Sequence, residues 1–512
     1  MINDPAVKTT QYDHQKEVYF AHRNDECFGL FWEMGLGKTK VSLDVASHLF
    51  LAKRIQVLIV IAPNTVYKNW LGQEMPVHLA VPYAGMAYPK SGSERDKMRK
   101  LIFLDPDFKA DALKVLCISY DSICTDHGMD FVQKVLMIYK CMVIADESTA
   151  IKTASTVRTK RAKEIGKAAE HRWIATGTPV AQSPFDIHSQ IAFMNPSFWA
   201  SHGLRSFSAF KNEFGEFTLR QLGNGRHFNE LKSYKRLDVL QNIIKPITSR
   251  LLKEDSTINL PPKSYALRTF EMAPAQLRLY EQVQREFEAE LGGGLRIDAP
   301  LAIVRLARLQ QITSGFVTTE EYIDDDEDVN DFAQVCRDPE RIIRIERKVV
   351  DVVPPDKNPK LKLLVELLDQ CSHKVIVWSR FTRDIDNIMT TLGERGIRFD
   401  GSVASKNREI ALERFRNPAD SAQVLVVNIA TISHGVTLTI AKTMIYYSNS
   451  FSLEKRLQSE DRNHRIGQDS PVLIIDLAAE ETVDAKIIRG LREKFDIAAQ
   501  VTGDRFREWI SA

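Results

Sequence analysis

Glu33-Met34-Gly35-Leu36-Gly37-Lys38-Thr39 joins a short apolar run, Cys27–Trp32, to a stretch of helical pattern, Lys40–Leu51. Strand, glycine-rich turn, Lys-Thr and helix in this order is the layout of a phosphate-binding loop. Glycines let backbone N–H groups come close to phosphate oxygens, and the helix N-terminus adds the positive end of a dipole. Such a loop cradles phosphates with Met34, Gly35, Leu36 and Gly37. Lys38 would neutralise β/γ-phosphate charge, and the Thr39 hydroxyl would ligate Mg²⁺. The pattern is met in part, because Trp32 stands where its first glycine belongs.

A second segment, Cys141–Ala145, ends in Asp146-Glu147-Ser148. A strand delivering two adjacent carboxylates suits the other half of a nucleotide site. Asp146 can hold Mg²⁺, and Glu147 can orient or deprotonate the attacking water. Alone, such a pair is commonly a helix N-cap with a first-turn acid; downstream of a phosphate loop it reads as catalytic. A third segment, Gln458 to Gln468, reads as helical up to Gly467, which puts Arg462 and Arg465 on one face. Guanidinium groups so placed can reach a γ-phosphate as arginine fingers, although charges of this kind ordinarily mark a solvated helix with salt bridges.

The elements that must bring these segments together fall in two α/β stretches. The first expects strands at Cys27–Trp32, Val57–Ala62, Val115–Ser119, Met142–Ala145 and Arg172–Ala175. The second expects them at Lys374–Trp378, Val424–Val427, Thr443–Tyr447 and Val472–Asp476. Near-continuous Val/Ile/Leu runs suit parallel strands covered on both faces. Between the two lie long helical patterns at Ala275–Leu291 and Pro300–Thr313, with a break at Gly292–Gly294. An acidic run, Glu320–Glu321 and Asp324–Asp328, reads as a solvated loop. Lys38 and Arg462 thus belong to different lobes, so hydrolysis requires the lobes to close.

Composition bounds the rest. The 512 residues suffice for two to four domains, and 44% hydrophobic with 27% charged residues excludes a disordered or collagen-like chain. No run approaches the roughly 18 apolar residues needed to span a bilayer, and Met1 to Gln11 lacks a signal-peptide pattern. A net charge of +2 neither demands nor excludes nucleic acid, since local distribution decides. The six cysteines form no C-x-x-C pair, so reduced thiols are expected, without zinc.

Together these segments resemble the Swi/Snf-type family of ATP-dependent DNA translocases in helicase superfamily two. Tyr12-Asp13-His14-Gln15 is similar to the adenine-reading glutamine motif. Ile61 to Asn64 with Asn69-Trp70 resembles motif Ia, and Ala175 to Pro179 with Gln182 resembles motif III, where the family usually has Asn in place of Gln182. Leu260 to Lys263, with Gln276 and Tyr280 beyond, looks like the join after the first protrusion. Asn428 to Thr439 resembles motif V, and Asp461 to Gln468 motif VI. The likeness covers nearly the whole chain. It departs at Trp32, commonly Asp; at Thr149, commonly His; and at Ile432-Ser433-His434-Gly435, where the family has a Gly-rich run.

The resemblance implies an α/β fold of two RecA-like parallel-sheet lobes, 1–196 and 357–512, with helical protrusions and a linker over 197–356. It implies ATP with Mg²⁺, double-stranded DNA as the track, and Gln15 as the adenine contact. DNA contacts are expected at Lys152, Thr178, Ser379, Arg380 and Thr431, beside matched motifs, and coupling residues at Gln182, Gln458 and Asp461. Further basic candidates cluster across the join: Arg205, Lys211, Arg220, Arg226, Lys232, Lys235, Arg236, Lys245, Arg250 and Lys253. The expected function is an ATP-driven translocase that remodels duplex or a DNA-bound protein complex. The alternatives are a strand-separating helicase, for which no wedge is evident, and a non-hydrolysing scaffold, which has no need of Lys38, Asp146, Glu147, Arg462 and Arg465 together. A motor core with little appended suits bacterial or viral DNA metabolism in a cytoplasm, or else a nucleus.

Overall fold

Each apolar run becomes a strand of one of two parallel sheets. The computed structural model describes residues 4–88, 103, 111–221, 227–256, 260–292, 299–323, 344–431 and 436–504. The first sheet is built from β1 (Cys27–Trp32), β2 (Val57–Ala62), β3 (Tyr83–Ala87), β4 (Leu113–Ser119), β5 (Cys141–Asp146) and β6 (His171–Ala175). Every residue of β2 and β5 is buried. Val57, Ile59 and Ile61 enter one core layer and Leu58, Val60 and Ala62 the other, the period of two that a sheet covered on both faces requires.

The expected helical middle is only partly helical. Helices Pro274–Gly292 and Ala299–Thr313 stand where their patterns put them. The same segment also forms an antiparallel ribbon, β7 (Gly215–Gln221) with β8 (His227–Tyr234). It lends β9 (Thr248–Leu251) to the edge of the first sheet, giving the order β3-β4-β2-β5-β6-β1-β9. It then lends β10 (Lys263–Phe270) to the second sheet. A second ribbon pairs β11 (Phe316–Ile323) with β12 (Arg344–Asp351). Glu320 and Glu321 therefore lie in a strand rather than a loop, because they pair with Arg347 and Glu346 across that ribbon. Asp324–Asp328, Gly293 and Gly294 lie outside the described residues.

The second sheet holds β13 (Val375–Ser379), β14 (Gly396–Phe399), β15 (Val424–Asn428), β16 (Thr443–Tyr446) and β17 (Val472–Ala479), in the order β10-β17-β16-β13-β15-β14. Among the described residues Cys27, Cys117, Cys124, Cys141 and Cys371 are free thiols, and no helix is long and apolar enough to cross a membrane.

One buried ionic knot fixes the helix that delivers the arginine segment. Arg456, on helix Leu453–Glu460, gives two hydrogen bonds to Asp476 at 2.5 and 2.9 Å and one to Glu460 at 2.8 Å. Its guanidinium carbon lies 3.5 Å from the centre of the Tyr446 ring. Lys263 and Tyr265, on β10, reach the other Glu460 oxygen at 3.0 and 2.9 Å. Burial pushes the Glu460 carboxyl up, but Lys263 and Arg456 outweigh it and hold it at about 2. Removing one partner of a buried pair strands the others. Arg456→Ala should therefore lower stability by about 3–5 kcal/mol in urea denaturation, and an unchanged midpoint would contradict this. Because the folded pKa is depressed, Glu460's contribution is complete above its ordinary value of 4.5 and is lost as pH falls through about 2.

Candidate active site

β1 and β9 run parallel and end together, with Trp32 opposite Leu251. The phosphate loop thus starts at the carboxyl edge of the sheet, where open α/β sheets bind ligands. Gly35 and Gly37 have φ of 88° and 82°, a region that side chains disfavour. Gly37 caps helix Lys38–Leu51, and a Cβ there would sit 2.1 Å from Gln15 Nε2. Gln15 and His14 both bond the Leu36 carbonyl, at 3.1 and 3.0 Å, so the 12–15 segment clamps the loop from above. Trp32, at the missing glycine, is fully buried and donates its indole N–H to Ser249 Oγ at 2.9 Å. It seals the loop's base against β9.

Lys38 donates to the Trp32 and Glu33 carbonyls at 2.9 and 3.3 Å. Burial lowers its pKa, while Glu147, Asp146 and Asp461 pull it back up. Those carbonyls occupy hydrogen bonds that a phosphate oxygen could take. Thr39 is half-buried one residue on. Asp146 ends β5, with Oδ2 held by the Trp70 indole at 2.8 Å and Oδ1 by the Glu147 N–H at 3.0 Å. Glu147 adopts a left-handed conformation, φ 49°, that costs energy in a residue with a side chain. Burial pushes its carboxyl above the usual range and Lys38 opposes this. Thr176 donates to Glu147 at 3.2 Å, and Thr149, at the family's usual His position, bonds Thr176 at 3.0 Å.

The arginine segment is not the helix its pattern suggests. The helix stops at Glu460 and residues 461–467 turn. Asn463 sends its amide to the Leu438 and Ala441 carbonyls at 2.9 and 2.7 Å, and Gln468 reaches Thr439 and Ala441 at 3.0 and 3.1 Å. These bonds outweigh helix continuation, so Arg462 and Arg465 do not share a helical face. Arg462 is buried, with Nε and one Nη lacking hydrogen-bond partners among the described residues. Burial lowers its pKa while Asp461 and, across the cleft, Glu147 raise it. Arg465 is half-buried and exerts its pull on Glu74 beside Asp146.

Several side chains tie the lobes. Lys152 reaches Glu454 at 3.1 Å and Lys494 reaches Gln182 at 2.8 Å, while Gln458 bonds Glu454 at 3.4 Å within its own helix. Lys152 and Thr431, with Thr153, Thr156, Arg158 and Lys455, line a cleft of about 690 Å³ that both lobes form. Thr178 is half-buried, its N–H on Thr176 Oγ1 at 3.2 Å. One expected DNA contact is corrected. Ser379 is fully buried and holds Asp384 at 2.9 Å. Arg380 is engaged inside its lobe with Gln310 at 2.7 Å and against the rings of Phe381 and Phe451. Residues 432–435, and Arg226 of the basic set, lie outside the described residues.

Two more of that set are internal. Arg250 bonds Asp504 at 2.8 and 2.6 Å and the Phe31 carbonyl at 2.7 Å, and Lys253 bonds Asp461 across the cleft. The sequence offers Lys253 only as a basic DNA-contact candidate, since nothing local reveals a partner 208 residues away.

The residues fit a nucleotide with its metal. A buried guanidinium with Nε and one Nη unpartnered among the described residues calls for an anion. Mg²⁺ commonly takes one or two carboxylates plus substrate phosphates, which Asp146 and Thr39 suffice to anchor. Residues 14–317 match the SNF2-related domain, and residues 359–467 match the helicase conserved C-terminal domain. Human chromodomain-helicase-DNA-binding protein 6 is 25% identical over 529 residues, covering 98% of this chain. Chromodomain-helicase-DNA-binding protein 8 of Xenopus tropicalis is 25% identical over 491 residues, covering 92%. The chain spans only 17% and 20% of those relatives' lengths. The Sulfolobus solfataricus SWI2/SNF2 ATPase core in complex with dsDNA aligns with a TM-score of 0.41 and 20% identity, over 98% of this chain and 96% of that one.

Proposed function

Because the chain belongs to the SNF2-related family of helicase-type ATPases, we propose that it hydrolyses ATP between its lobes and uses the cycle to move along double-stranded DNA. The observation that carries this reading is the meeting of Lys38 and Glu147 from one lobe with an unclaimed Arg462 from the other. Gln15 would read the adenine. Lys38 and the N–H groups of residues 34–39 bind phosphates, and Asp146 with Thr39 holds Mg²⁺. When bound, the metal would neutralise phosphate charge. Glu147, fixed by Thr176 and raised in pKa, is suited to take a proton from water. Arg462 and Arg465 stabilise charge on the transferring phosphoryl group.

A translocase grips phosphates without reading bases, for which ammonium, guanidinium and hydroxyl groups suffice. The two-lobe cleft lined by Lys152, Thr431 and their neighbours offers that set, so closing and opening would shift one lobe's grip relative to the other. Nothing in such a cycle breaks base pairs. The test is an ATP-driven displacement assay on a triplex beside a forked duplex: the third strand should leave and the fork stay paired. One observation favours the strand-separating alternative. Ribbon β7–β8 exposes Leu219 and Phe228, 64% and 44% accessible, as an apolar pin could. Fork unwinding that is lost in Leu219→Ala/Phe228→Ala would establish that alternative.

A further inference from the structure

Lys253 follows β9 where the chain leaves the first sheet for β10, and its two ends hold different lobes. Its backbone N–H donates to Glu33 Oε2 at 2.7 Å, at the first residue of the phosphate loop. Its buried ammonium crosses the cleft to the Asp461 carboxylate and, at 2.6 Å, to the His464 carbonyl. Asp461 directly precedes Arg462 and is the strongest attractive charge acting on it. Yet Arg462 Nε and one Nη have no partner among the described residues. A carboxylate beside a buried guanidinium with free N–H groups gains a strong charge-assisted pair, so Asp461 would capture Arg462 if nothing else neutralised it. Lys253 supplies the competing cation, anchored from the phosphate loop's side.

We propose that Lys253 is a positioning residue: by neutralising Asp461 it keeps Arg462 unclaimed by the protein and therefore available to a phosphate. This rests on the reading that ATP is hydrolysed between the lobes. Asp461 in turn is a latent trap for the arginine, disarmed only when the lobe carrying the phosphate loop has docked.

The experiment compares wild type, Lys253→Ala, Lys253→Arg and Lys253→Ala/Asp461→Asn. Lys253→Ala should bind a fluorescent ATP analogue nearly as well as wild type, while kcat with duplex DNA falls about a hundredfold, the scale on which a misplaced catalytic group is felt. Lys253→Arg should keep most of the rate. The double variant should recover at least about tenfold of the lost kcat, because no carboxylate remains to capture Arg462; a purely structural tie would not be rescued. In nucleotide-free protein labelled with ¹⁵N-arginine, the Arg462 Nε–H resonance, identified by its loss in Arg462→Lys, should shift in Lys253→Ala and return in the double variant. Lys253→Met, which keeps the stem, serves where Ala does not fold. A double variant as slow as Lys253→Ala, or Lys253→Ala at the wild-type rate, overturns the role of Lys253 while hydrolysis by the wild type stands. A wild type that hydrolyses no ATP overturns the motor reading, and this role with it.

Discussion

Glu147→Gln should retain ATP and stop turning it over, whereas Lys38→Ala should lose the nucleotide itself. The amide introduced by Glu147→Gln can still accept the Thr176 hydroxyl but cannot take a proton. A positioned general base is typically worth about 10²–10⁴ in rate, so phosphate release in Glu147→Gln should drop by at least the lower of these. Lys38 is the ammonium at the phosphate loop, held by the Trp32 and Glu33 carbonyls. Without it no side-chain cation of that loop remains to face β/γ-phosphate charge. Binding of a fluorescent ATP analogue separates the two variants: near normal for Glu147→Gln, lost for Lys38→Ala. Glu147→Gln turning over at the wild-type rate would remove Glu147 as the base.

Arg462→Ala should be the more telling variant, because activity and stability move apart. An arginine finger is worth about 10³–10⁵ in turnover, so a loss of roughly a thousandfold is expected, with nucleotide binding largely kept. Arg465→Ala should act in the same direction. The nucleotide-free protein, however, carries a buried guanidinium whose Nε and one Nη lack hydrogen-bond partners among the described residues. Arg462→Ala should therefore melt no lower than wild type, in contrast to Arg456→Ala, which breaks a satisfied knot only six residues earlier. A variant that keeps full turnover but melts lower would make Arg462 structural and remove the interlobe site.

Much of this was legible before any coordinates, and for physical reasons. β1, β2 and β5 are buried on both faces, so each must be an unbroken apolar run, and each reads as one. The phosphate loop follows β1 directly, so its residues locate themselves. β9 and β10 did not show, because edge strands are half-exposed and short or polar; Thr248–Leu251 and Lys263–Phe270 lack the apolar signature of the inner strands. The arginine segment misled because its helical spacing is overridden by tertiary bonds from Asn463 and Gln468. Ser379 sits next to a matched motif, yet proximity in sequence did not reveal that it is buried inside its lobe. Lys253 carried no local signal at all.

Hydrolysis between the lobes should drive movement along intact duplex. The most direct measurement follows a labelled third strand bound to a duplex, with purified chain, Mg²⁺ and ATP, for wild type and Glu147→Gln in parallel, and a forked duplex as the companion substrate. Wild type should displace the third strand only with hydrolysable ATP, Glu147→Gln should leave it bound, and the fork should stay paired, since separating strands would cost about 1–2 kcal/mol of stacking per step. Efficient unwinding of the fork with no displacement from the triplex, or displacement that persists in Glu147→Gln, would contradict the account.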